Sequence, residues 1–255
     1  MGISKYNESL KTIRLGEKSY SNCGTKAIIV EYENSKKVLV EFQDNYKYKY
    51  YTTYKNFKNC KMINPYDENI YNVGFIGSGK YNSSKHKDIY FCWYNMIRRC
   101  YCENKPKDIA SYENCSVCKE WHNFQNFANW YEDNYYECND QIHLDKDIKN
   151  HGSKEYSPNN CLLVPRYINL MFIKESGSRG KYKIGVQKIK DRYCSFLTKD
   201  GVVNFLGSYS TEKDAFQAYK QEKEKYIQEV AKKYINDIPT QLYDALMKYE
   251  VLETD

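Results

Sequence analysis

No stretch of this 255-residue chain stays apolar long enough to span a membrane, and its opening residues, MGISKYNESLK, lack the apolar core of a secretory leader. Gly2 stands where a myristoylated chain carries it, but Tyr6 fills the position that needs Ser or Thr, so that lipidation pattern fails too. A phosphate loop is also missing: Gly74, Gly77 and Gly79 fall close together, yet no Lys-Ser or Lys-Thr pair follows them. Neither sign of charge dominates, with 39 Lys and Arg against 33 Asp and Glu for a net of +6, so its distribution matters more than its total. Ten cysteines would read as a disulfide framework in a small secreted chain; without a leader they predict a reduced, cytoplasmic setting.

What is present divides the chain. Its length allows two or three small domains, and the composition shifts predict boundaries at residues 1–66, 67–175, 176–236 and 237–255. Runs at 26–32, 37–42 and 47–54 alternate apolar with polar residues, which predicts a small β-barrel-like unit or an open sheet. Its Lys and Tyr residues fit either a strand with one solvated face or a platform for stacking on nucleic acid. Asn64-Pro65 ends that unit, and 71–84 reads as a linker or a loop packed on the next domain. From Asp88 the period becomes helical, with Ile89, Trp93, Met96, Ile97 and Cys100 on one face; a second helix is expected over 119–131. Cys100, Cys102, Cys115 and Cys118 have a spacing open to two readings, a structural zinc site of four thiolates or ordinary small core residues.

Residues 141–174, QIHLDKDIKNHGSKEYSPNNCLLVPRYINLMFIK, predict two short strands, 142–147 and 161–164, around a polar loop, then a helix over 165–174. This unit resembles the HNH, or ββα-metal, nuclease finger. Asp145-Lys146 falls at the position of that family's Asp-His pair, and Asn160 at its loop-bracing Asn. Asn169 stands at the helix position nine residues further on. The run YSPNNC is similar to one found in phage-encoded members, as are Arg99-Cys100-Tyr101 and VCKEW at 117–121. The resemblance implies phosphodiester hydrolysis in double-stranded DNA with one magnesium or manganese ion held by Asp145 and Asn169, and Asn160 bracing the loop. It also implies a bacterial or phage-infected cytoplasm.

The sequence departs from the family where the general base belongs. Lys146 is protonated at neutral pH at its ordinary pKa, and neighbouring Asp145 and Asp147 hold that proton more firmly. Three outcomes stay open: His143, on the same strand face as Asp145, serves instead; His151 reaches in from the loop; or the finger no longer cuts, with Lys146 contacting phosphate in any case.

Between Lys174 and Lys199 eight basic residues face only Glu175 and Asp191, an excess equal to that of the whole chain. The segment 178–234 predicts three antiparallel strands, with Lys199-Asp200-Gly201 as a hairpin turn, and a helix capped by Thr211. It resembles the ethylene-response-factor type of DNA-binding domain at Gly185-Val186, at Tyr193 in place of Trp, at Leu206-Gly207 and at Thr211-Glu212 with Ala215, Ala218 and Tyr219. That resemblance implies a sheet entering a major groove. Its contact candidates are Arg179, Lys181, Lys183, Gln187, Lys188, Lys190, Arg192 and Tyr193, with Gln187 and Arg192 placed for base edges. The helix expected near Pro239 reads as a packing element.

The expectation is therefore an α+β protein with a β-rich N-terminal unit, a central finger supported by helices, and a C-terminal three-stranded sheet on one helix. Two functions compete: a metal-dependent endonuclease, and a catalytically silent DNA-binding or interaction protein that keeps the finger as scaffold.

Overall fold

The computed structural model describes residues 11–104, 112–172 and 181–253. It is an α+β protein with several small antiparallel sheets, and it forms two compact units. One is drawn from Met1–Glu113 and Val117–Asn129, the other from Asn114–Ser116 and Trp130–Asp255.

The first unit opens with strands β1 (Lys18–Tyr20), β2 (Lys26–Asn34), β3 (Lys37–Phe42) and β4 (Lys49–Thr52), hydrogen-bonded in that order as an antiparallel meander. Of the two shapes that the alternation allows, this is the open sheet. The period-two apolar positions Ala27, Ile29, Val38, Val40 and Phe42 all point into one core, closed by Phe57 and Met62. The last strand is shorter than its pattern predicts because Thr53 caps helix α1 (Tyr54–Lys58), its Oγ1 accepting the Asn56 N–H at 3.1 Å.

Helix α2 (Lys87–Tyr101) buries Trp93, Met96, Ile97 and Cys100, the face that its periodicity predicts. The second expected helix is interrupted. A 3₁₀ turn at Lys119–His122 is followed by helix α3 (Phe124–Asn134), because Asn123 is extended and its Oδ1 accepts the Gln125 N–H at 3.0 Å, a helix-starting bond. The glycine-bearing segment before α2 is a packed loop. Phe75 forms a backbone bridge with Asn123, and Gln125 Nε2 donates to the carbonyls of Ile76 and Tyr81. Gly77, at φ +71°, is required there, since a Cβ would collide with the Asn123 amide.

In the second unit, β5 (Ile142–Asp145) pairs antiparallel with β6 (Leu162–Pro165), with His143 opposite Val164 and Asp145 opposite Leu162. Helix α4 (Arg166–Asn169) follows at once and tightens into a 3₁₀ turn, Leu170–Phe172. A strand-loop-strand-helix unit is thus present; its helix gives way to the 3₁₀ turn after Asn169, and residues 173–174 of the expected 165–174 helix lie outside the described residues.

Strands β7 (Val186–Ile189), β8 (Arg192–Lys199) and β9 (Val202–Tyr209) form an antiparallel sheet with β8 central. The hairpin turn puts Asp200 at φ +50° and Gly201 at φ +79°, both left-handed, the combination whose twist matches the flanking strands.

Helix α5 (Glu212–Lys233) begins at Thr211, whose Oγ1 accepts the Asp214 N–H at 3.1 Å. Its first turns pack Ala215, Phe216 and Tyr219 on Val186 and Leu197 of the sheet. Its later turns bring Ile227 and Ala231 onto Leu162, Val164 and Ile168 of the finger, where helix α6 (Thr240–Met247) adds Leu242 and Leu246. One helix therefore serves as spine to both finger and sheet. Among the described residues no helix is long and apolar enough to cross a membrane.

Candidate functional site: the finger and the three-stranded sheet

The finger loop is organised by short-range hydrogen bonds that its sequence dictates. Asp145 ends β5, and its Oδ1 accepts the N–H groups of both Asp147 and Ile148 at 2.8 Å, an Asx turn that bends the chain away from the strand. Burial pushes the Asp145 carboxyl above its ordinary value, against the downward pull of those two N–H groups.

Lys146 points inward and is only 6% exposed. Its Nζ donates to Asp147 Oδ1 and to the Ser153 carbonyl, both at 2.8 Å, and lies 5.8 Å from the centre of the Tyr156 ring. Burial alone would lower its pKa. The hydrogen bond and charge of Asp147, with Asp145 nearby, more than offset that, and the net shift is upward. At neutral pH Lys146 is a fixed cation; it has no lone pair with which to take a proton.

Asn160 Nδ2 donates to the Glu155 carbonyl and its Oδ1 accepts from Asn150, both at 3.1 Å, tying the two ends of the loop. On the other side of the finger, Asn169 Nδ2 lies 3.2 Å from His143 Nδ1, so a strand imidazole and a helix amide meet. Asp140, missed by the sequence reading, belongs to this corner. Its Oδ2 accepts the Tyr167 N–H at 2.8 Å in the first turn of α4. That bond holds its carboxyl below the ordinary value, and the charges of Arg166 and His143 add to the effect. An Asp two residues before a strand and 27 before an exposed helix N–H has no sequence signature. His151 sits elsewhere, its ring 5.4 Å from that of Tyr249.

Asp145 is a residue expected to hold a divalent ion. One oxygen of Asp145 is engaged with two backbone N–H groups, its carboxyl is pushed toward the neutral form, and an ammonium occupies the next position. Among the described residues no three His, Cys, Asp or Glu side chains converge on a point that could hold a metal. Asn169, the other expected ligand, is engaged instead with His143 at 3.2 Å. Of the cysteine set, Cys100 and Cys115 are buried and Cys102 and Cys118 are half-buried, all four as free thiols. Cys100 sits on the apolar face of α2.

The sheet sorts its residues by strand alternation. Tyr193, Ser195, Leu197 and Lys199 of β8 face α5, with Val186 and Lys188 across from Ser195 and Tyr193. Arg192, Cys194, Phe196 and Thr198 take the open face, flanked by Gln187 and Ile189 of β7 and by Val203, Phe205 and Ser208 of β9. A bulge at Ser195/Phe196 places Leu206 on the helix side.

The basic candidates are therefore not all on the open face. Lys183 pairs with Glu253 at 2.8 Å and Lys199 with Glu222 at 2.6 Å, while Lys188 folds against Tyr193, 5.4 Å from the ring centre. Lys181 and Lys190 are exposed at its margins. Arg192 lies on the face, its guanidinium donating to the Ser208 carbonyl at 2.8 Å. Arg179 lies outside the described residues.

Comparison of the chain with protein-family models, with curated proteins and with solved structures gives no match in any of the three.

Proposed function

We propose that this protein binds double-stranded DNA through the open face of its C-terminal sheet, and that its HNH-like finger acts as a rigid scaffold rather than as a nuclease. The observation that carries the second half is Lys146. At the position where the resembled family places its general base, the ammonium is buried, hydrogen-bonded to a carboxylate and a carbonyl, and held protonated. The first half rests on the resemblance of the sheet and on the exposed cations Lys181, Lys190 and Arg192 around its open face. Such a protein works where DNA is accessible, in the cytoplasm of a bacterial or phage-infected cell.

Phosphate contacts from these three residues make the binding salt-dependent. Affinity for a duplex should fall about forty-fold between about 50 and 200 mM salt if all three neutralise phosphates. Replacing Lys190 with Ala should reduce the slope by about one. Fluorescence anisotropy on a labelled duplex measures both, and binding that ignores salt overturns the reading.

A second reading has one observation in its favour. His143 and Asn169 meet at 3.2 Å beside Asp140, leaving an imidazole with acid-base capacity on the finger. In that reading the chain nicks DNA with magnesium or manganese, Asp145 and Asn169 being the ligands, and His143→Ala abolishes nicking. Plasmid that stays supercoiled with the natural chain removes it.

A further inference from the structure

The open sheet face is divided: Lys190 and Arg192 lie at the β7–β8 turn, and the β8–β9 hairpin end is apolar. Val203 is 65% exposed, Phe205 61% and Ile189 48%, and the Phe205 ring lies against that of Phe196 with centroids 5.5 Å apart. Three apolar side chains exposed to water on one sheet face, with half-buried Phe196 against Phe205, are what a binding surface looks like. The register sorts the face into two zones. Phe196, Phe205, Val203 and Thr198 occupy the β8–β9 end, while Gln187, Arg192 and Ser208 surround Cys194 at the other. No carboxylate is placed on this face by the register. The two turns that carry Asp191 and Asp200 lie at its ends, and Asp200 accepts the Tyr226 hydroxyl at 2.9 Å. An apolar end beside a cationic one, with no acid between them in the register, suits a polyanion that itself displays methyl groups.

In the major groove that description fits A·T base pairs. Thymine presents a 5-methyl group for apolar contact, and adenine presents the N6/N7 pair that an amide such as Gln187 matches in a bidentate way. We infer that this face takes A·T-rich duplex DNA, with Phe205, Val203 and Phe196 packing on thymine methyls and Gln187 addressing the adenine edge. The inference rests on the DNA-binding reading above and deepens it. Arg192 contributes from the same face, its orientation set by Ser208.

Uracil isolates the methyl group, since a duplex with deoxyuridine in place of thymidine keeps its hydrogen-bonding edges. The full chain is titrated by anisotropy against an alternating A·T duplex, the same duplex with every thymidine replaced by deoxyuridine, and a G·C duplex of equal length. The expected order of affinity is A·T, then A·U, then G·C. Each methyl that meets the face should account for about a four-fold loss on removal, from the transfer free energy of one such group. Phe205→Ala, at an exposed position that leaves the fold intact by circular dichroism, should erase the difference between A·T and A·U. Gln187→Ala should weaken both about equally.

Equal binding to A·T and A·U duplexes overturns the methyl contact and leaves the DNA-binding reading standing. Failure to bind any duplex overturns both. A concentration-dependent dimer that Phe205→Asp dissolves, seen by sedimentation, also overturns the inference by giving the face to a second copy of the chain.

Discussion

A lysine buried to 6% exposure carries a desolvation cost that only well-placed partners offset, and Lys146 has a carboxylate, a carbonyl and an aromatic ring. Its partner Asp147 is 44% exposed at the side chain, so water can replace the ammonium there and the ion pair itself is worth little. The larger loss on mutation comes from the Ser153 carbonyl. Lys146→Met should destabilise the second unit by about 1–3 kcal/mol in denaturant titration. The sign of its pH dependence follows from the upward shift. The stabilisation is complete below the ordinary lysine value of 10.5 and is lost as pH rises through the folded value, so natural and variant chains converge at alkaline pH.

Asp145 behaves oppositely to a salt-bridged carboxylate. Its folded pKa is raised, so the natural chain loses stability as pH climbs from 3.8 through the folded value. Asp145→Asn keeps an oxygen for the two N–H groups and removes that cost. The Asn variant should be at least as stable as the natural chain at neutral pH, with the advantage vanishing below pH 3.8. Asp145→Ala should lose about 1–3 kcal/mol by leaving two N–H groups unpaired. Thermal melts across pH check both, and an Asn variant less stable at neutral pH contradicts the role assigned to this side chain. The nine-residue step from Asn160 to Asn169 is legible in the sequence because spacing is all it needs. The inward turn of Lys146 is not, because it depends on where the Ser153 carbonyl arrives after the loop has folded.

Among the elements, the C-terminal sheet is the one whose sequence pattern carries furthest. Alternation separates its faces, Lys199-Asp200-Gly201 marks its turn, and Thr211 starts its helix. Two features escape that pattern. The bulge sends Leu206 to the helix side, and cations grouped along the chain are dispersed once Glu253 and Glu222 claim Lys183 and Lys199. Close approach of sheet and helix depends on Gly185, at φ +74°, where a Cβ would enter the Tyr219 ring. Gly185→Ala should cost about 1–3 kcal/mol through overpacking, in addition to backbone strain. Ser195 offers a contrast. Its hydroxyl is fully buried in the sheet without a hydrogen-bond partner among the described residues. Ser195→Ala should be neutral or stabilise by about 1 kcal/mol. A large loss in that variant's melt would mean that the hydroxyl is satisfied after all.

At the scale of the molecule, α5 carries two cores, and this the sequence conceals. The helical period shows which residues of Glu212–Lys233 are apolar but not that Phe216 belongs to the sheet and Ile227 to the finger. Lys223 strengthens the junction by donating to the Met171 carbonyl at 2.8 Å. Finger and sheet should consequently unfold together. Ile227→Ala, at a fully buried position, should cost about 2–5 kcal/mol and lower amide protection in β8 as well as in β5 and β6. On the proposed reading the shared spine gives the finger a role without catalysis, since its core residues hold α5 beneath the sheet.

The central claim, a finger that supports binding and does not cut, meets its most direct test in plasmid topology. Supercoiled DNA is saturated with the natural chain in magnesium or manganese, the protein is removed, and the topoisomers are resolved on a gel. The expected result is a retarded complex before removal and wholly supercoiled plasmid after it. Open circles that form with the natural chain and disappear with Asp145→Ala would contradict the account.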